Sequence, residues 1–207
     1  MASLKTIKRF VAKIITGQDP LLVLQDKDQW NRQFEKGSWD RLAHHQPNTE
    51  HQAALIVESL PAEGVLRVLD VGCGNGGLTK LLAPHAHRIK YVGIDISDIA
   101  VAQAQIFLPS GTFIVGDAAT PPDTLGTFDI LVFNEVFFYL NPATVIPKYV
   151  AHAAPDAHII ISIIRSWRSI FLWNRIKKHL VLMHKESVRA KVGTPHIWDI
   201  AEGTLRA

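Results

Sequence analysis

The chain has 207 residues, a formal net charge of +3 and 47% hydrophobic residues. This length suits one domain with one sizeable core, and the composition excludes an intrinsically disordered chain. The single cysteine, Cys73, excludes an internal disulfide and a cysteine metal cluster, and no apolar run approaches the roughly 20 residues of a membrane span. We therefore expect a globular protein of the reducing cytoplasm.

The chain is predicted to begin with a mostly helical segment. Residues 4–14 place apolar side chains on one helical face, which fits a helix that covers the domain, the commoner case, or one that lies on an anionic membrane surface. Trp30 and Trp39 stand among charged neighbours and could be core residues or pocket walls. We expect residues 1–60 to form a helical cap over the carboxyl edge of a sheet, and residues 61–207 to form the core domain.

From residue 66 onward, strand-like runs rich in Val and Ile alternate with helical or mixed segments. The predicted strands cover residues 66–71, 90–94, 112–115, 128–134 and 158–164. The predicted helices cover residues 77–83, 99–108, 142–153 and 165–180. Such alternation is typical of a parallel sheet with right-handed crossovers and helices on both faces.

The tail differs from the preceding β-α units. Residues 187–192 and 196–204 alternate apolar and polar side chains on either side of Gly193-Thr194-Pro195, which predicts an antiparallel hairpin. We therefore expect an α/β fold with a doubly wound, mostly parallel, seven-stranded sheet whose last strand is reversed.

The first strand ends in the stretch VLDVGCGNGG, and ligands of open α/β sheets bind outside the carboxyl ends of the strands. Its glycines fit both the G-x-G-x-x-G pattern of nicotinamide dinucleotide binding and a D-x-G-x-G-x-G loop. Asp70 favours the second pattern, because its carboxylate would repel a pyrophosphate but suits a cationic ligand. An Asp that only bonds the loop backbone would be compatible with either cofactor.

Three further strand ends carry polar side chains. Asp95 lies about 20 residues beyond the glycines, where an acid can bind both hydroxyls of a ribose. Asp117 could accept a hydrogen bond from an adenine amine or could simply form a turn. Asn134 and Glu135 end a buried run, where a lone Glu among phenylalanines costs stability. Together, the four strand ends predict an acidic pocket for an adenosine that carries a positive charge.

These motifs resemble those of the class I S-adenosylmethionine-dependent methyltransferases over residues 65–164. VLDVGCGNGG looks like that family's first motif, YVGIDIS its ribose-binding acidic strand, GDAAT its adenine-binding motif, and FDILVFNEVFFYL the strand beside the transferred methyl. The resemblance implies S-adenosylmethionine as the cofactor. It implies the following cofactor-binding residues: Asp70, Gly72, Cys73, Gly74, Asn75, Gly76, Asp95, Ile96, Asp117, Ala118 and Asn134.

Methyl transfer from a sulfonium is an in-line displacement, in which the protein aligns the reactants and in some enzymes supplies a base. Glu135 is the first candidate for this base, with Tyr139 one helical turn later; Glu135 could equally orient the cofactor or cap a helix. The reaction requires no metal. The pair His44-His45, four residues after Asp40, is weak evidence for a metal site.

Shorter resemblances bear on the acceptor. Asn134 is followed by Glu135 and Val136, so the Asn-Pro-Pro-aromatic motif of nucleobase methylation is absent, and we expect no nucleic-acid partner. EVFFYL is similar to a stretch of the N-methyltransferases that act on chitooligosaccharide precursors of nodulation signals, and QWNRQFEKGSWDRL resembles the leader of small-molecule methyltransferases near saccharide pathways. These resemblances imply methyl transfer to an N or O atom of a small molecule, with a sugar or amino sugar as the first candidate.

Two other functions stay open, as does the oligomeric state. An NAD(P)-dependent oxidoreductase is disfavoured: the residues four positions after the three tyrosines are Asp95, Ala143 and Ala153, and none is the Lys of a short-chain dehydrogenase. A catalytically silent partner subunit would bind S-adenosylmethionine but methylate no acceptor.

Overall fold

A computed structural model describes residues 13, 18–40, 46–190 and 196–206. The predicted amphipathic helix over residues 4–14 lies outside this part of the chain except for Lys13, and so does the pair His44-His45. Within the described ranges, no helix is both long and apolar enough to cross a bilayer.

The described residues form one seven-stranded sheet flanked by helices. Its strands are β1 (Leu66–Val71), β2 (Ile89–Asp95), β3 (Thr112–Val115), β4 (Phe128–Asn134), β5 (Ala153–Ile164), β6 (Leu180–Arg189) and β7 (Ile197–Leu205). The helices are α1 (Lys27–Glu35), α2 (Pro47–Glu58), α3 (Gly77–Leu82), α4 (Asp98–Phe107), α5 (Pro142–Tyr149) and α6 (Trp167–Ile176).

The strand order is β3-β2-β1-β4-β5-β7-β6. Strands β1 to β5 pair in parallel, and β7 runs antiparallel to both β5 and β6. The strand order reverses direction at β1, because β2 and β3 are added on one side of β1 and β4 is then added on its other side. This topology confirms the predicted doubly wound sheet with a reversed last strand, and it places the ligand edge where β1 and β4 end side by side.

Apolar side chains cover both faces of the sheet. Val68, Ile130 and Ile160 pack on one face with residues of α2 and α3, and the alternate residues Leu69 and Leu131 pack on the other face with residues of α5 and α6. Full burial of one such side chain contributes about 1.5–3 kcal/mol to the stability of the fold. The central strands β1, β4 and β5 are therefore apolar where they cross the core, and polar side chains lie near their ends.

Four predicted boundaries are wrong. The helix predicted over residues 165–180 ends at Ile176, because Leu180 fits the helical spacing but pairs with Leu205 in the β6–β7 ladder. As a result, β6 starts at Leu180, seven residues before the strand that was predicted over residues 187–192. The helix predicted over residues 142–153 ends at Tyr149, and β5 begins at Ala153 instead of residue 158, since Ala153 already pairs with Phe128.

Residues 18–40 cross the carboxyl edge of the sheet. The Val23 N–H donates to the Phe138 carbonyl at 2.7 Å, next to the end of β4. In α1, the Asn31 side chain accepts from the Ser97 hydroxyl at 2.6 Å and thereby contacts the end of β2. The segment thus spans the edge from β4 to β2.

The second N-terminal helix, α2, packs directly on the sheet. Its residues Ala53 and Ile56 are buried against Val68 of β1 and Leu82 of α3 in one core cluster. Its first turn reaches the carboxyl edge of the sheet. The division of the chain into a cap of residues 1–60 and a core of residues 61–207 stays a prediction.

Candidate active site

The loop between β1 and α3 bends closely over the ends of the central strands. Gly72, Gly74 and Gly76 have φ angles of 77°, 54° and 91°. A Cβ atom on Gly72 would lie 2.4 Å from Cγ1 of Val136, and one on Gly76 would lie 2.7 Å from Cα of Ala104. Glycine is therefore required at both positions by conformation and by space.

Asp95 holds this loop at the end of β2. Its Oδ2 accepts from the Gly74 N–H at 2.9 Å, and its Oδ1 accepts from the Ser97 N–H at 2.9 Å. Burial raises the pKa of Asp95, and the backbone N–H bonds partly oppose the rise. Ile96 follows at the same strand end and is half-buried. Each carboxylate oxygen retains a second lone pair, so Asp95 can still accept ribose hydroxyls.

Asp70 lies beneath the loop and is almost fully buried. Its Oδ2 accepts from the Tyr91 hydroxyl at 2.6 Å, while its Oδ1 has no partner among the described residues. Burial raises the pKa of Asp70 to about 7, the Tyr91 hydrogen bond lowers it, and the charge of Asp95 adds to the rise. Asp70 is therefore only partly ionised at neutral pH, and a cation bound nearby would favour its charged form.

Cys73 and Asn75 help to hold the loop in place. Cys73 is buried against Gly93, where a Cβ atom would lie 2.9 Å from the Cys73 Sγ, and burial raises the pKa of the thiol. The Asn75 side-chain amide donates to the Trp39 carbonyl at 3.1 Å. Asn75 thereby ties the loop to the segment that crosses the edge.

Asp117 follows β3 beside Asp95. The Gly116 N–H donates to the Asp95 carbonyl at 2.8 Å, and Asp117 Oδ1 accepts from the Ala119 N–H at 2.8 Å in a local turn. Asp117 is exposed, whereas Ala118 is buried and its carbonyl accepts from the Tyr149 hydroxyl at 2.8 Å. The turn therefore exists, and it leaves the Asp117 side chain at the open edge. We call the loop of residues 72–76 and the ends of β2 and β3 the cofactor side.

A network of polar side chains occupies the ends of β4 and β5. Asn134 Oδ1 accepts from Asn48 Nδ2 at 2.9 Å, and Asn134 Nδ2 donates to the Thr49 hydroxyl at 3.2 Å. Asn48 Nδ2 also donates to the Ser162 hydroxyl at 3.0 Å. The first turn of α2 is thus bonded to two strand ends. We call the ends of β4 and β5 with this turn the acceptor side.

Glu135 extends this network. Its backbone has φ 61°, which makes it the one residue other than glycine with a positive φ in the described part of the chain. Its N–H donates to the Ser162 carbonyl at 3.0 Å, and its Oε1 accepts from the Ser162 hydroxyl at 2.9 Å. Burial raises the pKa of Glu135 to about 8, although the Ser162 hydrogen bond lowers it. Such backbone strain costs about 1–3 kcal/mol and concentrates at functional sites.

An aromatic wall lies above Glu135. The ring of Tyr139 meets the ring of Trp30 edge-on at a centroid distance of 4.8 Å, and Trp30 lies 5.8 Å from Trp39. Burial raises the pKa of Tyr139, and the charge of Glu135 adds to the rise. Trp30 and Trp39 are half-buried, so the wall is partly open to solvent.

The structure places the predicted site residues along one edge, at the ends of β1 to β4. Sequence reasoning missed Tyr91, Asn48 and Ser162, which bond the predicted carboxylates and Asn134. The one signal for them was the polar start of α2, PNTE, whose Asn and Thr follow a helix-starting proline. In the ranges that the structure describes, no three His, Cys, Asp or Glu residues are grouped as metal ligands would be.

Sequence comparisons agree with the motifs. A family model described as a methyltransferase domain matches residues 68–155. The trans-aconitate 2-methyltransferase of Afipia carboxidovorans is 31% identical over 105 residues, which cover 51% of this chain and 41% of that protein. The chain spans about two-fifths of the length of the curated relatives it matches.

Solved structures share the fold. The N-methyltransferase NodS of Bradyrhizobium japonicum, in complex with S-adenosylhomocysteine, has a TM-score of 0.62 at 18% identity and covers 80% of this chain and 95% of its own. The [4+2]-cyclase SpnF has a TM-score of 0.66 at 14% identity, with coverages of 88% and 97%. Residues 68–155 therefore match a methyltransferase domain, and the strand order and the solved structures show that the chain has the fold of the methyltransferases it resembles.

Proposed function

We propose that this chain transfers a methyl group from S-adenosylmethionine to an N or O atom of a small molecule. When bound, S-adenosylmethionine supplies an electrophilic methyl on a sulfonium. Asp95 would bind the ribose hydroxyls, Asp117 and Ala118 the adenine, and the loop around Asp70 the methionine part. Asn134 would lie near the sulfonium.

Glu135 carries the proposal. It directly follows β4, its backbone is strained, and its carboxyl group is bonded to Ser162. A residue with a purely structural role in this half-buried place would be apolar. The acceptor lone pair would bond to the methyl carbon while the carbon–sulfur bond breaks, with S-adenosylhomocysteine as the leaving group. The proton released by the acceptor N or O atom would pass to the Glu135 carboxylate. Tyr139, next to Glu135, would contact the acceptor.

The aromatic wall supports a sugar or amino sugar as the acceptor. Trp30, Trp39 and Tyr139 offer half-open rings, and a pyranose ring can pack its C–H face on such surfaces. Residues 18–40, which include Trp30 and Trp39, are bonded near the ends of β4 and β2 and so cross the edge beside these rings, which favours a small molecule over a folded macromolecule. The nodulation-type resemblance of EVFFYL points to the same class.

A polycarboxylate is the second candidate acceptor. It is favoured by the names of the relatives, since seven of eight curated proteins similar to this chain are trans-aconitate 2-methyltransferases. These matches cover only about half of this chain. Methylation would then fall on a carboxylate oxygen, which needs no base, and Glu135 would orient the cofactor instead.

Labelled methyl transfer distinguishes these acceptors. We would incubate the protein with methyl-labelled S-adenosylmethionine and glucosamine, chitooligosaccharides or trans-aconitate, and measure S-adenosylhomocysteine release in parallel. We expect turnover of an amino sugar that Glu135→Gln abolishes. Turnover of trans-aconitate alone, insensitive to Glu135→Gln, would establish the second candidate. Tight S-adenosylhomocysteine binding without any turnover would favour the silent partner subunit.

A further inference from the structure

Arg168, in the first turn of α6, is held beside the acceptor side by main-chain oxygens. Its Nη2 donates to the carbonyl of Leu21 and, at 3.4 Å, to the carbonyl of Phe138. Its Cζ lies 4.9 Å from the centroid of the Phe138 ring. The guanidinium is thus fixed between residues 18–40 and the short turn that follows Glu135.

Arg168 has no acidic partner among the described residues. The two neighbouring arginines are paired: half-buried Arg175 with Asp19, and exposed Arg165 with Asp199. The residues outside the described ranges include no Asp or Glu side chain that could neutralise Arg168. Nε of Arg168 is buried without an acceptor, and Nη1 donates to none of the described groups.

An unpaired, half-buried cation is costly. Burial lowers the pKa of Arg168, which shows that its surroundings disfavour the charge, although Tyr139 and Asp19 partly offset this. A guanidinium still remains charged at neutral pH, so the cost persists in the free protein. Two carbonyl contacts could be made by a neutral side chain, and they do not explain the choice of arginine.

The position of Arg168 connects it to the proposed site. The hydroxyl of Tyr139 lies within electrostatic reach of both Arg168 and Glu135. Glu135, with its pKa of about 8, is mostly protonated at neutral pH and therefore does not neutralise the Arg168 charge or repel an anion. The carboxylates of Asp95 and Asp117 belong to the cofactor side, around the ends of β2 and β3.

We propose that Arg168 is a specificity residue that binds an oxyanion group, a carboxylate or a phosphate, on the methyl acceptor. This inference rests on the proposed function and narrows its acceptor class to anionic molecules, such as an acidic or phosphorylated sugar or a polycarboxylate. Nη2 is already bonded to two carbonyls and Nε is buried, so Nη1 would donate to the oxyanion in a charge-assisted hydrogen bond, which suits a carboxylate and a phosphate alike.

Paired probes test the inference. With S-adenosylhomocysteine bound, calorimetry would compare glucosamine 6-phosphate with glucosamine, and propane-1,2,3-tricarboxylate with its neutral trimethyl ester. We expect one charged probe to bind about 10-fold tighter than its neutral counterpart or more, since hydrogen bonds to charged groups are among the strong ones. A preference within the glucosamine pair would indicate that the site binds a phosphate, and a preference within the tricarboxylate pair would indicate that it binds a carboxylate. Equal affinities within both pairs would overturn the proposal.

Substitutions assign the preference to this residue. Arg168→Gln should abolish the difference between charged and neutral probes, whereas Lys178→Gln, an equal charge change on an exposed side chain beyond the end of α6, should preserve it. If Arg168→Gln does not fold, Arg168→Lys should retain a weakened preference, because lysine keeps the positive charge but lacks the planar guanidinium that the two carbonyls hold in place. A preference unchanged in the folded Arg168 variants would contradict the proposal. Failure of S-adenosylhomocysteine to bind any variant would instead contradict the proposed function.

Discussion

The cofactor side and the acceptor side meet at one sheet edge but are built by different means. On the cofactor side, glycines and backbone N–H groups determine the geometry. The Asp95 carboxylate there accepts from the backbone N–H groups of Gly74 and Ser97. On the acceptor side, Asn48, Asn134 and Ser162 bond each other through side chains from three distant elements. The first construction tolerates few substitutions, while the second can change with the acceptor.

The largest expected effect is on the cofactor side. Gly76→Ala would place a Cβ atom 2.7 Å from the Ala104 Cα at φ 91°, and we expect it to destabilise the fold by roughly 3–5 kcal/mol and to abolish S-adenosylhomocysteine binding. Gly64→Ala is the matched control, because Gly64 has φ 93° with open space around it and should cost only about 1–2 kcal/mol. Urea unfolding measures both. Equal losses in the two variants would contradict a close-packed loop.

Glu135→Gln tests the acceptor side. Loss of a general base should lower kcat by about 10²- to 10⁴-fold while leaving S-adenosylhomocysteine affinity nearly unchanged. Glu58→Gln makes the same chemical change at an exposed position at the end of α2 and should leave kcat unchanged. Full activity of Glu135→Gln toward an amine or hydroxyl acceptor would show that Glu135 is not the base.

Ser162→Ala should act through Glu135 and move the pH profile. Only ionised Glu135 can accept a proton, so kcat/KM should rise with pH through a pKa near 8, or lower once the sulfonium is bound. The Ser162 hydrogen bond favours the ionised form, so its removal should shift the profile to higher pH. Ser59→Ala loses a hydroxyl bonded within its own helix and should not shift it. If the pH profile of kcat/KM is the same in Ser162→Ala as in the unmodified protein, Ser162 does not influence the proton transfer.

A smaller effect is expected on stability. The pKa of Asp70 is raised to about 7 in the folded state, so the folded protein binds this proton more tightly than the unfolded chain. Asp70 therefore contributes stability below about pH 4 that is lost as the pH rises through 7. Asp70→Asn should flatten the fall in unfolding free energy between pH 4.5 and about 7.5. Urea unfolding across this range checks it, and an unchanged slope would contradict the raised pKa.

The cofactor side was largely predictable from the sequence. Its residues are close together in the chain, and its glycines, strand ends and acids have fixed spacing, as at Asp70 and Asp95. The doubly wound parallel sheet and the reversed strand β7 were also predicted correctly, because the first follows from the alternation of strands and helices and the second from the hairpin pattern of the tail. The sequence did not reveal Tyr91 as the partner of Asp70, because a tyrosine within a predicted buried strand is interpreted as a core residue.

The acceptor side was much less predictable. The contact between Asn48 and Asn134 joins residues 86 positions apart, and no local pattern specifies such a pairing. The positive φ of Glu135 was also hidden, because propensity disfavours it and only tertiary structure can impose it. The boundary at Leu180 failed for a related reason: helix and strand patterns both fit, and pairing with β7 decided the outcome.

The sheet edge at the ends of β1 to β4 should bind S-adenosylmethionine. Calorimetric titration of the protein with S-adenosylhomocysteine, NAD and NADP tests it most directly, with Asp95→Ala as the variant. We expect saturable binding of S-adenosylhomocysteine alone, weakened in Asp95→Ala by the loss of the ribose acceptor. Binding of NAD or NADP without binding of S-adenosylhomocysteine would show that this edge is a dinucleotide site instead.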